Sequence, residues 1–468
     1  MPDRRQPTPP SALARAGMFI ADGCERHFPD AFVFALGAVL VVFAAGLASG
    51  ETPGKLITEF GNGFWVLIPF TMQMALVIIG GFVVASSPPV ARVIVRLAAV
   101  PKTPRGAVAF VALLAMVTSL LSWGLSLIFT GLLVREVTRR IPRLDYRAVG
   151  AASYLGLGSV WALGLSSSAA LLQASPASIP ESLLRITGVI PLVQTIFLWQ
   201  SMLMAVVLIV LSVAIAYYSC PHPDRARSAA EMGIRFEPLV SEQDHDATTS
   251  GHRLDRSPIL PLCVALLMAA YLTMQVSERG FFAAVDLGTF NMAFLAAGMV
   301  LHWRPRSFLQ AVARSVPATT GVLIQFPFYA GIFGLIAHSG LASSLEQLFL
   351  RATTKETFPL VVAAYSAILG LFVPSGGGKW VIEAPYVMSV ANDWQAHLGW
   401  TVQIYNAAET LPNLINPFWM LPLMGLLSVR ARDLVGYSIL QLIFHVPVVF
   451  FLCWLLGRTL PYIPPQIP

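Results

Sequence analysis

Charge is what this chain has least of. Asp, Glu, Lys and Arg make up 12% of its 468 residues, about half of the ~25% usual in a soluble domain, so water is not its main solvent. Cysteine is scarce as well. Cys24, Cys220, Cys263 and Cys453 form no CxxC pair, which argues against both a zinc site and a disulfide framework. The eight histidines make no HExxH or similar spacing, and no cofactor is expected. A cleavable signal pattern is missing from the first 29 residues, which are polar and carry Arg4, Arg5, Arg15 and Arg26. The net charge of +6 needs no nucleic acid to explain it; in a membrane protein it marks the cytoplasmic face.

Apolar residues take the place of the missing charge. They are 56% of the chain, and runs near the ~20 residues that cross a bilayer recur at 31–49, 193–219, 258–276 and 433–457. The chain reads as an all-α polytopic membrane protein with the lipid bilayer as its first partner. Basic residues cluster at 4–26, 92–105, 135–147, 304–314 and 430–432, whereas the loops around 50–60, 174–192 and 277–286 carry one each. The clusters are cytoplasmic by this rule, and so is the N-terminus. The polar stretch 220–257 mixes seven acids with five arginines and suits an exposed, partly disordered connection. A single apolar segment, 106–134, lies between two cytoplasmic clusters. A re-entrant hairpin with its tip near Ser122, Trp123 and Gly124 resolves that parity, and such backbone is tolerated only where protein or a cavity surrounds it.

A second half echoes the first. "VLIPFTMQMALVIIGG" (66–81) aligns with "VLIQFPFYAGIFGLIA" (322–337), about 255 residues on, and with small gaps "SWG" (122–124) falls on "SGG" (375–377). Each half reads as span, span, hairpin, broken span, span. With 258–276 as an extra crossing, the two repeats are inverted. The divisions are a cytoplasmic segment, 1–29; a first repeat, 30–219, with its hairpin about 106–140; a cytoplasmic loop, 220–257; a linking span, 258–276; and a second repeat, 287–457, with its hairpin about 357–391. Interrupted segments at matching positions of two repeats point to a secondary transporter's midplane site.

The second tip carries the chemistry. In "VPSGGGKWVIEAP" (373–385) proline ends one half-helix, Ser375 can cap the next, and Gly376, Gly377 and Gly378 leave backbone N–H groups uncovered. A helix N-terminus of that kind favours a carboxylate; a tight turn is the plainer reading. Lys379 and Glu383 follow at i and i+4 and can pair. Each costs about 2.5–3.5 kcal/mol at membrane depth on insertion scales, so such residues face a cavity or one another. "YNAAETLPNLINPFW" (405–419) places Glu409, Asn413 and Asn416 among two prolines that free backbone carbonyls. The freed carbonyls and the Asn side chains suit a hard cation or a polar substrate; a kink for packing is the plainer reading. The first-half counterpart (156–169) is rich in small residues and hydroxyls, including Ser166, Ser167 and Ser168.

"GNGFW" (61–65), "MQMAL" (72–76), "ASSPPV" (85–90), "REVTRRIP" (135–142), "QFPFYAGI" (325–332), "HSGL" (338–341), the second tip and the E-x3-N-x3-PFW pattern from Glu409 together resemble the bacterial short-chain fatty acid transporters. The resemblance runs from about residue 20 to 455. It implies an inner-membrane uptake system for acetoacetate, butyrate and similar monocarboxylates, and an elevator mechanism in which paired hairpins move against a scaffold. Elevator relatives commonly form homodimers. Two departures stand out: Ser122 where the family tends to have Asn, and Lys379 and Glu383 where it tends to have neutral or His and Gln. They bear on any Na+ site near Ser122 and Asn413.

The expectation is a secondary carrier that is not an enzyme, coupled to H+ or Na+. Its substrate would touch Ser122, Trp123, Gly124, Ser375, Gly376, Gly377, Gly378, Lys379, Trp380 and Asn413. Coupling falls to Glu383, Glu409 and Asn416, with Glu383 neutralising Lys379 in the empty site and taking a proton when substrate arrives. The rivals are an intramembrane hydrolase with Ser375 as nucleophile and a passive anion channel.

Overall fold

Lipid offers the backbone no hydrogen-bond partners, so a chain this apolar must satisfy its N–H and C=O groups internally. The computed structural model describes residues 11–27, 31–66, 68–174, 179, 181–236, 257–284, 287–338, 340–341, 347, 351, 353–372 and 376–465. Among them the protein is helical, with no β-sheet.

In the first half the main helices are α1 (Ala12–His27), α2 (Ala31–Ala48), α3 (Pro53–Phe64), α4 (Ile68–Ser86), α5 (Pro88–Leu97), α6 (Pro104–Leu121), α7 (Trp123–Arg140), α8 (Tyr146–Leu155), α9 (Ser168–Ala174), α10 (Glu181–Thr187) and α11 (Trp199–Ser219). The second half contains α12 (Ile259–Arg279), α13 (Leu287–His302), α14 (Pro305–Ser315), α15 (Thr320–His338), α16 (Phe358–Phe372), α17 (Gly376–Asp393), α18 (Leu398–Asn413), α19 (Pro417–Leu427) and α20 (Ala431–Gly457). Five helical stretches among the described residues are long and apolar enough to cross a membrane: α6, the run Tyr146–Ala174, α11, α12 and α20. Two bent pairs, α4 with α5 and α14 with α15, raise the number to as many as seven. This is a multi-pass membrane protein.

The core is built around two helices that hide every side. All residues of α8 and all residues of α18 are buried. α6 packs on α7, on α8 and on α11, while α16 packs on α18, α17 and α20. The linking helix α12 is the opposite case: only 11% of its apolar window is covered. Leu260, Leu266, Leu267 and Met274 point outward, as a lipid-facing helix requires.

The first part of the polar connection after α11 is tied to the helices. Residues 221–236 are docked rather than free. Asp145 is fully buried and needs donors, since an unpaired buried carboxylate is costly. It caps α8 through Ala148 N (2.9 Å), accepts from Arg147 Nη2 (3.2 Å) and accepts from Arg227 N (3.0 Å). Arg227 O in turn accepts from Tyr146 N at 2.8 Å, and Arg135 lies 4.6 Å over the Phe236 ring. Residues 237–256 lie outside the described residues.

Candidate functional site

The site is made where helices stop. Between α6 and α7 one residue, Ser122, turns extended (φ −156°, ψ 114°) and caps α7 by accepting from Leu125 N. The two helices pack against each other on either side of it. In the first half α8 loosens into a π-type turn, Gly156–Val160, and a 3-10 turn, Trp161–Leu163. Gly164 then passes so close to α6 that a Cβ on it would lie 2.4 Å from Leu120 O; only glycine fits that approach. Ser167 Oγ accepts from Ala170 N and starts α9.

In the second half α18 ends at Asn413 and α19 begins at Pro417, where proline's missing N–H is harmless. Asn416 caps it, its Oδ1 accepting from Phe418 N at 3.1 Å while its Nδ2 donates to Leu371 O of α16 at 3.2 Å.

These breaks meet. Ser166 Oγ accepts from Trp123 N and donates to Ser119 O, both at 2.8 Å, lacing the first tip to the first break. Tyr154 OH donates to Asn413 O at 2.7 Å and joins the two breaks. Tyr405 OH donates to Gly376 O at 2.5 Å, holding the start of α17 to α18. Gly376 faces the Trp161 ring and Gly377 faces Ser168, so the second tip abuts the first half's break. Trp123 meets Trp419 edge-on at 5.8 Å. The starts of α7 and α19 thus meet through Trp123 and Trp419, and the start of α17 lies against the first half's break; helix N-termini favour negative charge.

Against this junction lies a sealed ion cluster. Lys379, Glu383 and Glu409 have no exposed surface. Lys379 Nζ pairs with Glu409 Oε2 of α18, donates to Ser366 O of α16 at 2.7 Å and lies 4.7 Å from the centre of the Tyr405 ring. Glu383 Oε1 accepts from Ser366 Oγ. The ion pair of Lys379 is thus with Glu409, not with Glu383 as the i, i+4 spacing suggested. The neighbouring helix brings its carboxylate to the ammonium, and Gly370 gives it room, since a Cβ there would lie 3.3 Å from Lys379 Nζ and 3.2 Å from Glu409 Oε2.

The other expected residues divide. Asn413 is fully buried and neither atom of its amide has a partner among the described residues, so it is available to a ligand. Trp380 is buried and packs on Tyr405 with ring centres 4.6 Å apart. Gly378 lies in the first turn of α17. At Gly124 a Cβ would lie 2.9 Å from Val77 Cγ1, so the missing side chain leaves room for α4. Ser375 lies outside the described residues. Sequence reasoning missed Ser366, Tyr405, Gly370 and Trp161. Tyr405 could have been found, because it stands one turn before Glu409 on the same face; a lone serine in an apolar run, such as Ser366, gives no local signal.

A multi-pass helical protein with interrupted helices meeting at a buried charged junction belongs among membrane transporters. The chain belongs to the short-chain fatty acid transporter family: the model described as "Short chain fatty acid transporter" matches residues 12–456. It is 35% identical over 433 residues to an Escherichia coli K12 protein, covering 92% of this chain and 97% of that one. It is 32% identical over 443 residues to a Haemophilus influenzae Rd protein, covering 93% and 98%. Both relatives carry the name "Putative short-chain fatty acid transporter". The family is one of transporters and not of enzymes. Among solved structures, the chain is similar to the Alcanivorax borkumensis YdaH transporter, with a TM-score of 0.45 at 15% identity, covering 93% of this chain and 100% of that one.

Proposed function

We propose that this protein is a secondary active carrier importing small monocarboxylates, such as acetoacetate and butyrate, across the bacterial inner membrane. Its N-terminus lies in the cytoplasm, and transport is coupled to an ion, H+ or Na+, by alternating access. One observation carries the reading: the start of α17 abuts the first half's break, a buried lysine follows in its first turn, and the buried amide of Asn413 has no partner among the described residues. A carboxylate satisfies all of them. It takes backbone N–H groups at the start of α17, a hydrogen bond from Asn413 and the charge of Lys379. Trp123 and Trp380 supply apolar surface near a short acyl chain.

The order of elements supports a pair of inverted repeats. α4 and α15, the hairpins α6–α7 and α16–α17, the broken spans α8–α9 and α18–α19, and α11 and α20 follow one another alike in each half. In this reading both hairpins are re-entrant and move as a unit past a fixed scaffold, as in an elevator, and two copies form a homodimer. Membrane proteins built from such repeats expose one site alternately to each side.

Counterflow tests the function. Purified protein in liposomes preloaded with unlabelled acetoacetate should transiently concentrate external labelled acetoacetate above its equilibrium level. Protein-free liposomes give the leak of the free acid. Uptake that neither saturates nor overshoots would make the protein a passive anion channel.

A further inference from the structure

Two carboxylates and one ammonium are closed off together beside the second tip, and their charges do not balance. With Lys379, Glu383 and Glu409 all ionised and fully buried, the group would hold one uncompensated negative charge, which a site sealed from water does not sustain. One proton therefore resides there in the empty site. The contacts say where. Lys379 directs its ammonium to Glu409. Glu383 has only the Ser366 hydroxyl on Oε1, and its Oε2 has no partner among the described residues. Glu409 Oε1 is likewise without a partner among the described residues, so the two acids differ in their one donor: an ammonium keeps Glu409 ionised, and a neutral hydroxyl leaves Glu383 to hold the proton.

Resting on the transport reading above, the geometry points to Glu409, rather than Glu383, as the group that couples the carboxylate to a proton. An arriving carboxylate takes the place of Glu409 on Lys379. Glu409 is then left buried without its cation and accepts one proton from water on the entry side. The substrate–lysine contact and the protonated Glu409 cross together, and both steps reverse on the exit side. One monocarboxylate and one proton move, no net charge crosses and sodium plays no part.

The surroundings of Glu409 leave few other candidates. α17 brings Lys379 and Glu383 and the glutamate's own helix brings Tyr405. α16 faces it with Ser366 and Gly370. The turns after α8, together with α9 and α20, also pack on α18. They set no further charged group against Glu409 among the described residues.

The test uses full-length protein in liposomes with labelled acetoacetate, reading proton and substrate entry together and charge movement separately. Wild type should take up one proton per acetoacetate without sodium and without current. Glu409→Gln should lose proton entry and pass current while counterflow persists. Glu383→Gln should keep a ratio of one, whatever its rate. The reverse pattern, with the ratio falling to zero in Glu383→Gln and unchanged in Glu409→Gln, overturns the assignment, as does a strict sodium requirement. Should Glu409→Gln fail to insert, the ratio in Glu383→Gln decides alone: one supports the assignment and zero overturns it. Absence of counterflow in wild type would instead reject the transport reading on which this one rests.

Discussion

Breaking the Lys379–Glu409 pair from each side should give unequal results, and the inequality follows from the contacts each charge keeps: Lys379 has others, and Glu409 has none among the described residues. Both side chains are sealed, at 0% and 1% exposure. Lys379→Met leaves two carboxylates with no cation. Removing one partner of a buried pair costs about 3–5 kcal/mol, because the other charge is left uncompensated. Glu409→Leu leaves the ammonium with Ser366 O at 2.7 Å and the Tyr405 ring, so part of its charge stays compensated. Its loss should stay nearer the ~1–3 kcal/mol of an unsatisfied buried hydrogen-bonding group. The double variant removes both charges and leaves only Glu383, already neutral in the empty site, so it should be more stable than Lys379→Met alone. Thermal unfolding in detergent, followed by the loss of monodisperse protein, reads all three variants against wild type. If the double variant's loss equals the sum of the two single losses to within about 0.5 kcal/mol, the charges do not interact and the cluster is not a pair.

Two further outcomes follow from the tips. Gly377→Val should abolish uptake while the protein still inserts, because a Cβ there already lies 3.3 Å from Ser168 Cβ; wild-type kinetics would return the tip to a simple turn. Gly376→Ala, with its Cβ 2.7 Å from the Trp161 ring, should also lose about 1–3 kcal/mol of stability by overpacking, read as a lower unfolding temperature. For topology, single cysteines at Arg105 and Arg143 should both be labelled only from the cytoplasm, and one at Asp393 only from outside. Labelling of the first two from opposite sides would contradict a re-entrant first hairpin and with it the inverted repeat.

What could be read before folding was local. Ser122 ends a long apolar run with a side chain that prefers to cap, and Pro412 and Pro417 flank a stretch that cannot continue as helix, so the breaks announce themselves in the chain. Partners brought from afar do not. The i, i+4 spacing makes Glu383 the natural mate of Lys379, yet the packing of α18 against α16 and α17 decides otherwise in favour of Glu409. Trp161 meets Gly376 across the two halves, and no local pattern encodes that meeting. Nor does any local pattern show that a Cβ at Gly124 would lie 2.9 Å from Val77. The docking of 221–236 was hidden for the same reason: composition shows that a loop is polar, not that a buried Asp145 needs its backbone N–H.

The central claim is that a short carboxylate binds on Lys379. Equilibrium binding of labelled acetoacetate to the purified protein, wild type beside Lys379→Gln, tests it most directly. A charge-assisted hydrogen bond is worth about 1.5–3 kcal/mol, so the substitution should weaken binding about 10- to 150-fold. Butyrate should displace the label from wild type, and the uncharged butanol should not. Equal affinity in the two proteins, or displacement by butanol, would contradict the account.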